Sequence, residues 1–167
     1  YKVSEVNEIL IVTTGGTIDK VYFDQLSDYQ VGRSIVDSLL REAHVTNPYR
    51  IEALLEKDSL DLTEADRLLI RDTVSDSHAR KVVITHGTDT MTETARYLDD
   101  IIDKTIVMTG SLSPARFAMT DASFNVGMAF AAVQTLDPGV YIAMNGTVFP
   151  AKTVVKNRKL NRFESKS

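Results

Sequence analysis

The most constraining stretch of the chain runs from Ile9 to Asp19. There the apolar run Ile9-Leu10-Ile11-Val12 breaks directly into Thr13-Thr14-Gly15-Gly16-Thr17-Ile18-Asp19. An unbroken, largely β-branched run of this length reads as a strand covered on both faces, as in a parallel sheet, although periodicity alone does not separate it from buried helix. The paired glycines permit positive φ and close backbone approach, so Thr17 can stand at the strand's carboxyl end beside bare N–H groups. Open α/β sheets bind their ligands at that end. On this stretch alone, a plain turn satisfied by its own threonines accounts for the residues as well. Neither the Walker spacing nor G-x-G-x-x-G is present, which disfavours a phosphate loop.

With 167 residues, 43% of them hydrophobic, the chain is read as one domain with a sizeable core. A net charge of −4 offers no general attraction for nucleic acid or anionic membranes. No apolar run approaches the ~20 residues that span a bilayer. Cysteine is absent, so a disulfide framework, a thiolate nucleophile and a zinc–cysteine site are excluded. Tyr1 to Glu8 lack the basic and apolar regions of a signal peptide, and the expected compartment is the cytoplasm.

Further along, Lys20 to Val31 is polar and without period, carries Tyr22 and Tyr29, and is long enough to read as a lid. From Ser34, the residues Ile35, Val36, Leu39, Leu40 and Ala43 fall at helical spacing, stopped by Asn47-Pro48. The strand Tyr49 to Leu55 empties into Lys57-Asp58-Ser59-Leu60-Asp61. Thr63 and Asp66 then predict a capping box for a helix carried by Ala65, Leu68 and Leu69 towards His78. A hydroxyl such as Ser59 on this loop can merely serve a local turn.

The third unit repeats the scheme, with Lys81 to Thr85 as strand, His86-Gly87-Thr88-Asp89 as loop and Thr90 to Asp100 as helix. Thr90 with Glu93 predicts a second capping box, and Met91, Ala95 and Leu98 a buried stripe. With Thr90 on the cap, Thr88 and Asp89 are left on the loop without a structural task. His86, at a buried strand end, reads as a hydrogen-bonded core histidine before a base. Thr105 to Thr109 is a fourth strand, ending in Gly110-Ser111-Leu112-Ser113-Pro114. A helix from about Asp121 to Thr135 carries Phe124, Val126, Met128, Phe130, Ala131 and Val133, apolar on nearly all sides and therefore expected to be well buried. Val140 to Met144 is the fifth strand, leaving through Asn145-Gly146-Thr147.

Five strands separated mostly by helices predict an α/β fold with a mainly parallel sheet, flavodoxin- or Rossmann-like. Right-handed crossovers then put Thr17, Ser59, Thr88, Asp89 and Ser111 on one edge. Hydroxyls, freed N–H groups and one carboxylate suit a small polar substrate with an amide or ester carbonyl, supplying a nucleophile, oxyanion donors and an ammonium anchor. The stretch from Pro150, with Lys152, Lys156, Arg158, Lys159 and Arg162, reads on composition as a solvated basic tail. Yet a threonine nucleophile needs a base, and with neither cysteine nor a convincing histidine, lysine is the available type.

At these residues the chain resembles the bacterial-type L-asparaginase family. Thr14-Gly15-Gly16-Thr17-Ile18 and His86-Gly87-Thr88-Asp89-Thr90-Met91 match its two signatures in order. Tyr29-Gln30-Val31-Gly32, Ser59-Leu60-Asp61-Leu62, Gly110 to Pro114 and Asn145-Gly146-Thr147-Val148 leading to Lys156 resemble its supporting segments, so the likeness spans Ile9 to about Phe163. The resemblance implies that Thr17 is the nucleophile, polarised by Tyr29 on a closing loop, with Tyr22 a rival nearer in sequence. It implies that Thr88, Asp89 and Lys156 form a second constellation, Asp89 also holding the substrate's α-amino group. Ser59 would bind the α-carboxylate, the N–H of Thr88 would serve the oxyanion, the carbonyl of Ser111 would orient the amide, and Gly16 and Gly87 would line the substrate. The implied reaction is hydrolysis of L-asparagine to L-aspartate and ammonia, with L-glutamine a lesser substrate, through an acyl-threonine ester or a water activated at the same place. No cofactor or metal is implied.

Family members carry a second, smaller carboxyl-terminal domain that helps complete a neighbouring subunit's site with an acidic residue, and this chain stops where that domain would begin. It is therefore expected to be a short-form or truncated asparaginase, a single domain over 1–167 that assembles as a homo-oligomer, dimer or tetramer. Leu60 stands where longer members often have a polar residue after the serine. A module of the same fold that binds a small amino acid without turnover is the alternative from another class. A nucleotide-binding α/β domain is a third, disfavoured by the missing phosphate signatures.

Overall fold

The computed structural model describes residues 7–20 and 35–167. Tyr22, Tyr29 and the expected lid lie outside the described residues. Six strands form one sheet: β1 (Ile9–Thr13), β2 (Tyr49–Ala53), β3 (Lys81–Thr85), β4 (Thr105–Thr109), β5 (Gly139–Met144) and β6 (Thr147–Pro150). Their order is β2-β1-β3-β4-β5-β6. The first five are parallel to their neighbours, and β6 returns antiparallel to β5. The α/β class with a mainly parallel sheet is thus what the sequence predicts, enlarged by one strand that the short run after Asn145-Gly146 does not announce.

Among the described residues four helices cover the sheet: α1 (Ile35–Glu42), α2 (Glu64–Asp76), α3 (Met91–Arg96) and α4 (Ala122–Thr135). Every residue of β1 and β4 is buried, because alternate side chains feed two separate cores. Leu10, Val12, Val82, Ile84, Ile106 and Met108 pack with Ile70 and Val74 of α2 and Met91 of α3. Ile9, Ile11, Val83 and Val107 pack with Val36 and Leu40 of α1 and with Val126, Phe130 and Val133 of α4. Each such side chain contributes about 1.5–3 kcal/mol on burial. The sheet is held as a three-layer sandwich whose carboxyl-end loops are free to carry function.

Several expectations need correction. The residues from Pro150 are not a solvated tail: β7 (Val154–Asn157) pairs antiparallel with β8 (Arg162–Ser165), and Val154 and Phe163 join the core. The lysines and arginines that dominate the composition there sit mostly on exposed positions between these anchors. Helix α3 ends at Arg96 rather than Asp100; Tyr97 and Leu98 turn more tightly, their N–H groups donating to the carbonyls of Thr94 (3.0 Å) and Ala95 (3.1 Å). On α4, Phe124 is 63% exposed, so the helix is not buried all round. On α2 the buried face is Arg67, Ile70 and Val74, while Leu68 and Leu69 look outward. The box at its start forms as expected: Asp66 N–H donates to Thr63 Oγ1 (3.2 Å) and Thr63 N–H to Asp66 Oδ2 (2.9 Å).

Candidate active site

The order β2-β1-β3-β4-β5 reverses direction between β1 and β3, and in doubly wound sheets the crevice at that reversal, at the strands' carboxyl ends, is the ligand position. The loops leaving β1 and β3 carry Thr17 and Thr88-Asp89. They are bound together by Thr14, whose Oγ1 and N–H both donate to the carbonyl of Thr85, at 2.8 and 3.1 Å. Beyond Thr14 the backbone touches backbone. A Cβ on Gly16, whose φ is +89°, would lie 2.5 Å from Gly87 Cα, and one on Gly87 would lie 2.6 Å from Ser59 Cβ. Gly16, Gly87 and Ser59 therefore meet, which brings the loops after β1, β2 and β3 together. Thr17 opens a short 3-10 turn, Thr17–Asp19, and is partly exposed, while Ser59 opens another, Ser59–Asp61, and is buried. The second turn is capped by Asp58, whose Oδ1 accepts the N–H of Leu60 at 3.1 Å.

Lys156 reaches this edge from β7. Its Nζ donates to Thr88 Oγ1 and to Asp89 Oδ1, each at 2.8 Å, with its side chain only 11% exposed. That hydrogen bond and charge hold the Asp89 carboxyl below the usual carboxylate range, with Arg158 and Lys20 adding to the field. Because the ammonium donates to Thr88 Oγ1, the threonine's own proton is available to another acceptor.

His86 is fully buried with both ring nitrogens engaged: Nδ1 lies 2.6 Å from the Gly87 carbonyl oxygen and Nε2 2.7 Å from Thr94 Oγ1. Burial pushes its pKa down to about 4. It is a core histidine. The capping box expected of Thr90 and Glu93 does not form. Thr90 Oγ1 instead donates to the Ser59 carbonyl at 2.8 Å, tying the β3 loop to the β2 loop, and Glu93 pairs with Arg67 at 3.5 Å. With Thr90 off the cap, what distinguishes Thr88 and Asp89 in the fold is Lys156.

Ser111 is buried, and its Oγ donates to the Ser113 carbonyl at 2.5 Å, so the hydroxyl serves its own loop. Sequence reasoning missed what holds this loop in place. The Asp121 carboxylate accepts the N–H groups of Leu112 (2.9 Å) and Ser113 (3.0 Å), and Asn125 Nδ2 donates to the Gly110 carbonyl (2.9 Å) and to Asp121 (2.9 Å). The signal was an Asp and an Asn four residues apart at the start of an otherwise apolar helix. Near Thr17, Asp19 has its carboxyl pKa raised to about 6, by burial first and the neighbouring Glu56 second, against a hydrogen bond from the Gly15 N–H.

A family model described as asparaginase, N-terminal, matches residues 8–167, and the chain belongs to that family. It is 32% identical over 168 residues to the glutaminase-asparaginase of Acinetobacter glutaminasificans, which covers 90% of this chain and 50% of that protein. With the L-asparaginase 2 of Escherichia coli K12 it shares 31% identity over 163 residues, 89% of this chain and 46% of the relative. Among solved structures, the probable cytoplasmic L-asparaginase of Campylobacter jejuni superposes with a TM-score of 0.81 at 29% identity, covering 95% of this chain and 53% of that one. The chain spans about half the length of the relatives it matches.

Proposed function

We propose that this chain carries the amide-cleaving machinery of an L-asparaginase, converting L-asparagine to L-aspartate and ammonia. The observation that supports it most is the double contact of Lys156 Nζ with Thr88 Oγ1 and Asp89 Oδ1, at the crevice where the Thr17 loop also ends. As Thr17 Oγ attacks the side-chain carbonyl carbon, the Lys156 ammonium gives a proton to the departing nitrogen, and the amine so formed takes up the Thr17 proton through Thr88. The C–N bond breaks, ammonia leaves, and water hydrolyses the threonyl ester to release aspartate and restore Thr17. Direct attack by a water activated at the same place gives the same products.

In this reading the Thr88 N–H stabilises the oxyanion. Asp89 holds the substrate's α-ammonium, Ser59 its α-carboxylate, and Ser111 orients the amide through its carbonyl. The bare backbones of Gly16 and Gly87 let the substrate lie against the loops. Tyr29, with Tyr22 its rival, polarises Thr17. The mechanism calls for no cofactor or metal. Glutamine enters as a lesser substrate, in line with the name of the Acinetobacter relative, and the cytoplasm as compartment, in line with that of the Campylobacter structure. No helix among the described residues is long and apolar enough to cross a membrane. A single domain over the whole chain and assembly as a dimer or tetramer complete the proposal.

The test is release of ammonia and aspartate in equal amounts from L-asparagine by the purified protein, beside its thermal stabilisation by the same amino acid. Equal release supports the enzyme. Stabilisation without release would leave an amino-acid-binding module in its place.

A further inference from the structure

We propose that Arg67, Thr94 and His86 are positioning residues that fix and polarise the Gly87–Thr88 peptide through a one-way hydrogen-bond relay. This deepens the proposed function and rests on the reading that the Thr88 N–H serves the oxyanion.

The direction of the relay follows from what each group can donate. The Gly87 carbonyl oxygen only accepts, so at 2.6 Å the proton sits on His86 Nδ1. Arg67 Nε only donates, so Thr94 Oγ1 accepts from it at 3.2 Å and gives its single proton to His86 Nε2 at 2.7 Å. One tautomer satisfies every partner. The ring stays neutral because burial, helped by the Arg67 charge, holds its pKa down at about 4. Arg67 is anchored in turn by the Leu62 carbonyl at 3.1 Å and by Glu93 at 3.5 Å. All three side chains are buried, Arg67 to 8% exposure, and Thr94 and His86 to 0%.

Every bond in the relay points from a cation towards the Gly87 oxygen, and hydrogen bonds in such a series strengthen one another in a low-dielectric interior. The peptide is planar and trans, so a carbonyl held on one side aims the Thr88 N–H to the other. Electron density drawn to the carbonyl oxygen makes that N–H a better donor to a developing oxyanion. A helix residue and its two buried partners thereby act on the reaction without touching substrate.

Thr94→Val removes the relay's middle link at nearly constant volume, and Thr94→Ser restores the hydroxyl. Removing an oxyanion donor outright costs about 10²–10³ in kcat, so weakening one predicts roughly a tenfold loss in Thr94→Val, with KM for asparagine changed less than about twofold and Thr94→Ser close to the parent. In the unliganded parent, ¹⁵N NMR should find His86 protonated on Nδ1, and the Thr88 amide resonance should move in Thr94→Val and return in Thr94→Ser. An Nε2-protonated ring in the parent, or parental kcat in a folded Thr94→Val protein, overturns the relay. If the parent releases no ammonia, the proposed function fails, while the ring tautomer and the Thr88 amide still decide the relay.

Discussion

Lys156 on β7 and Asp89 on the loop after β3, 67 residues apart in sequence, form an ion pair with Nζ 2.8 Å from Oδ1. The β7–β8 hairpin holds Lys156 at this position: Val154, two residues before Lys156, and Phe163 opposite it are anchored in the core, which fixes the side of the hairpin that Lys156 leaves from. Lys156→Met keeps the stem and removes the charge. Asparaginase turnover should fall about 10²–10⁴-fold, the range of a lost proton-transfer group, and the Asp89 carboxyl should titrate upward towards its ordinary value. Steady-state kinetics and ¹³C NMR of the carboxyl check the two halves; a carboxyl that titrates as in the parent would contradict the pairing.

Gly16→Ala should be costly in both stability and turnover. The backbone there has φ +89°, and the new methyl would meet Gly87 Cα at 2.5 Å, so the β1 and β3 loops must part. That backbone, with ψ −173°, is one that glycine alone adopts readily and costs another residue about 1–3 kcal/mol, and in a domain of this size each kcal/mol lowers Tm by about 2–4 °C. Calorimetry beside the kinetics measures both, and an alanine variant with parental Tm would show that the loops are not in contact.

Asp121→Asn tests the support of the Ser111 loop. The carboxylate accepts two backbone N–H groups and Asn125, and hydrogen bonds to a charged group contribute about 1.5–3 kcal/mol. The expected outcome is a lower denaturation midpoint and faster amide hydrogen exchange confined to the residues around Leu112 and Ser113. Loss of stability without local exchange at that loop would place the role of Asp121 elsewhere.

Asp19 gives the fold a dependence on pH. Its folded pKa of about 6 lies above the ordinary 3.8, so the protonated carboxyl favours the folded state. That contribution is fully present below about pH 3.8 and is lost as pH rises through about 6. His86 works in the opposite sense: its pKa falls from 6.5 to about 4, so its contribution is present above 6.5 and lost on acidification towards 4. Because the windows overlap, the informative quantity is the difference between parent and Asp19→Asn. The variant should gain stability relative to the parent as pH rises from 4 to 7, and a difference independent of pH would remove Asp19 as the cause.

Much of this architecture is legible in the residues. Ile9 to Val12 is a strand buried on both faces because its side chains leave no polar face to turn to water, and Thr105 to Thr109 is another whose two threonine hydroxyls find carbonyl partners inside, Leu136 and Ala143. Thr63 and Asp66 announce a helix start that forms atom for atom. What was not legible is long-range. Thr90 and Glu93 have the spacing of a cap, yet the Ser59 carbonyl and the Arg67 guanidinium, supplied by other units of the fold, compete for them and win. The basic stretch after Pro150 hides a hairpin because its strands are four residues each and only Val154 and Phe163 mark the inner face. Arg67 looks like a surface residue of α2 until Thr94, 27 residues on in another unit, gives its guanidinium a partner in the interior beside the nearby Leu62 carbonyl.

In the proposed function Thr17, presented by the glycine turn after β1, is the group that attacks the amide. The most direct test is the rate of ammonia release from L-asparagine by the parent and by Thr17→Ala, each shown to be folded and to bind the amino acid. Loss of a nucleophile that acts as one unit with its proton-transfer partners predicts a fall of roughly 10⁴–10⁶-fold in kcat, with binding retained. A Thr17→Ala protein that turns over within about tenfold of the parent would contradict the claim and move the chemistry to another group in the crevice.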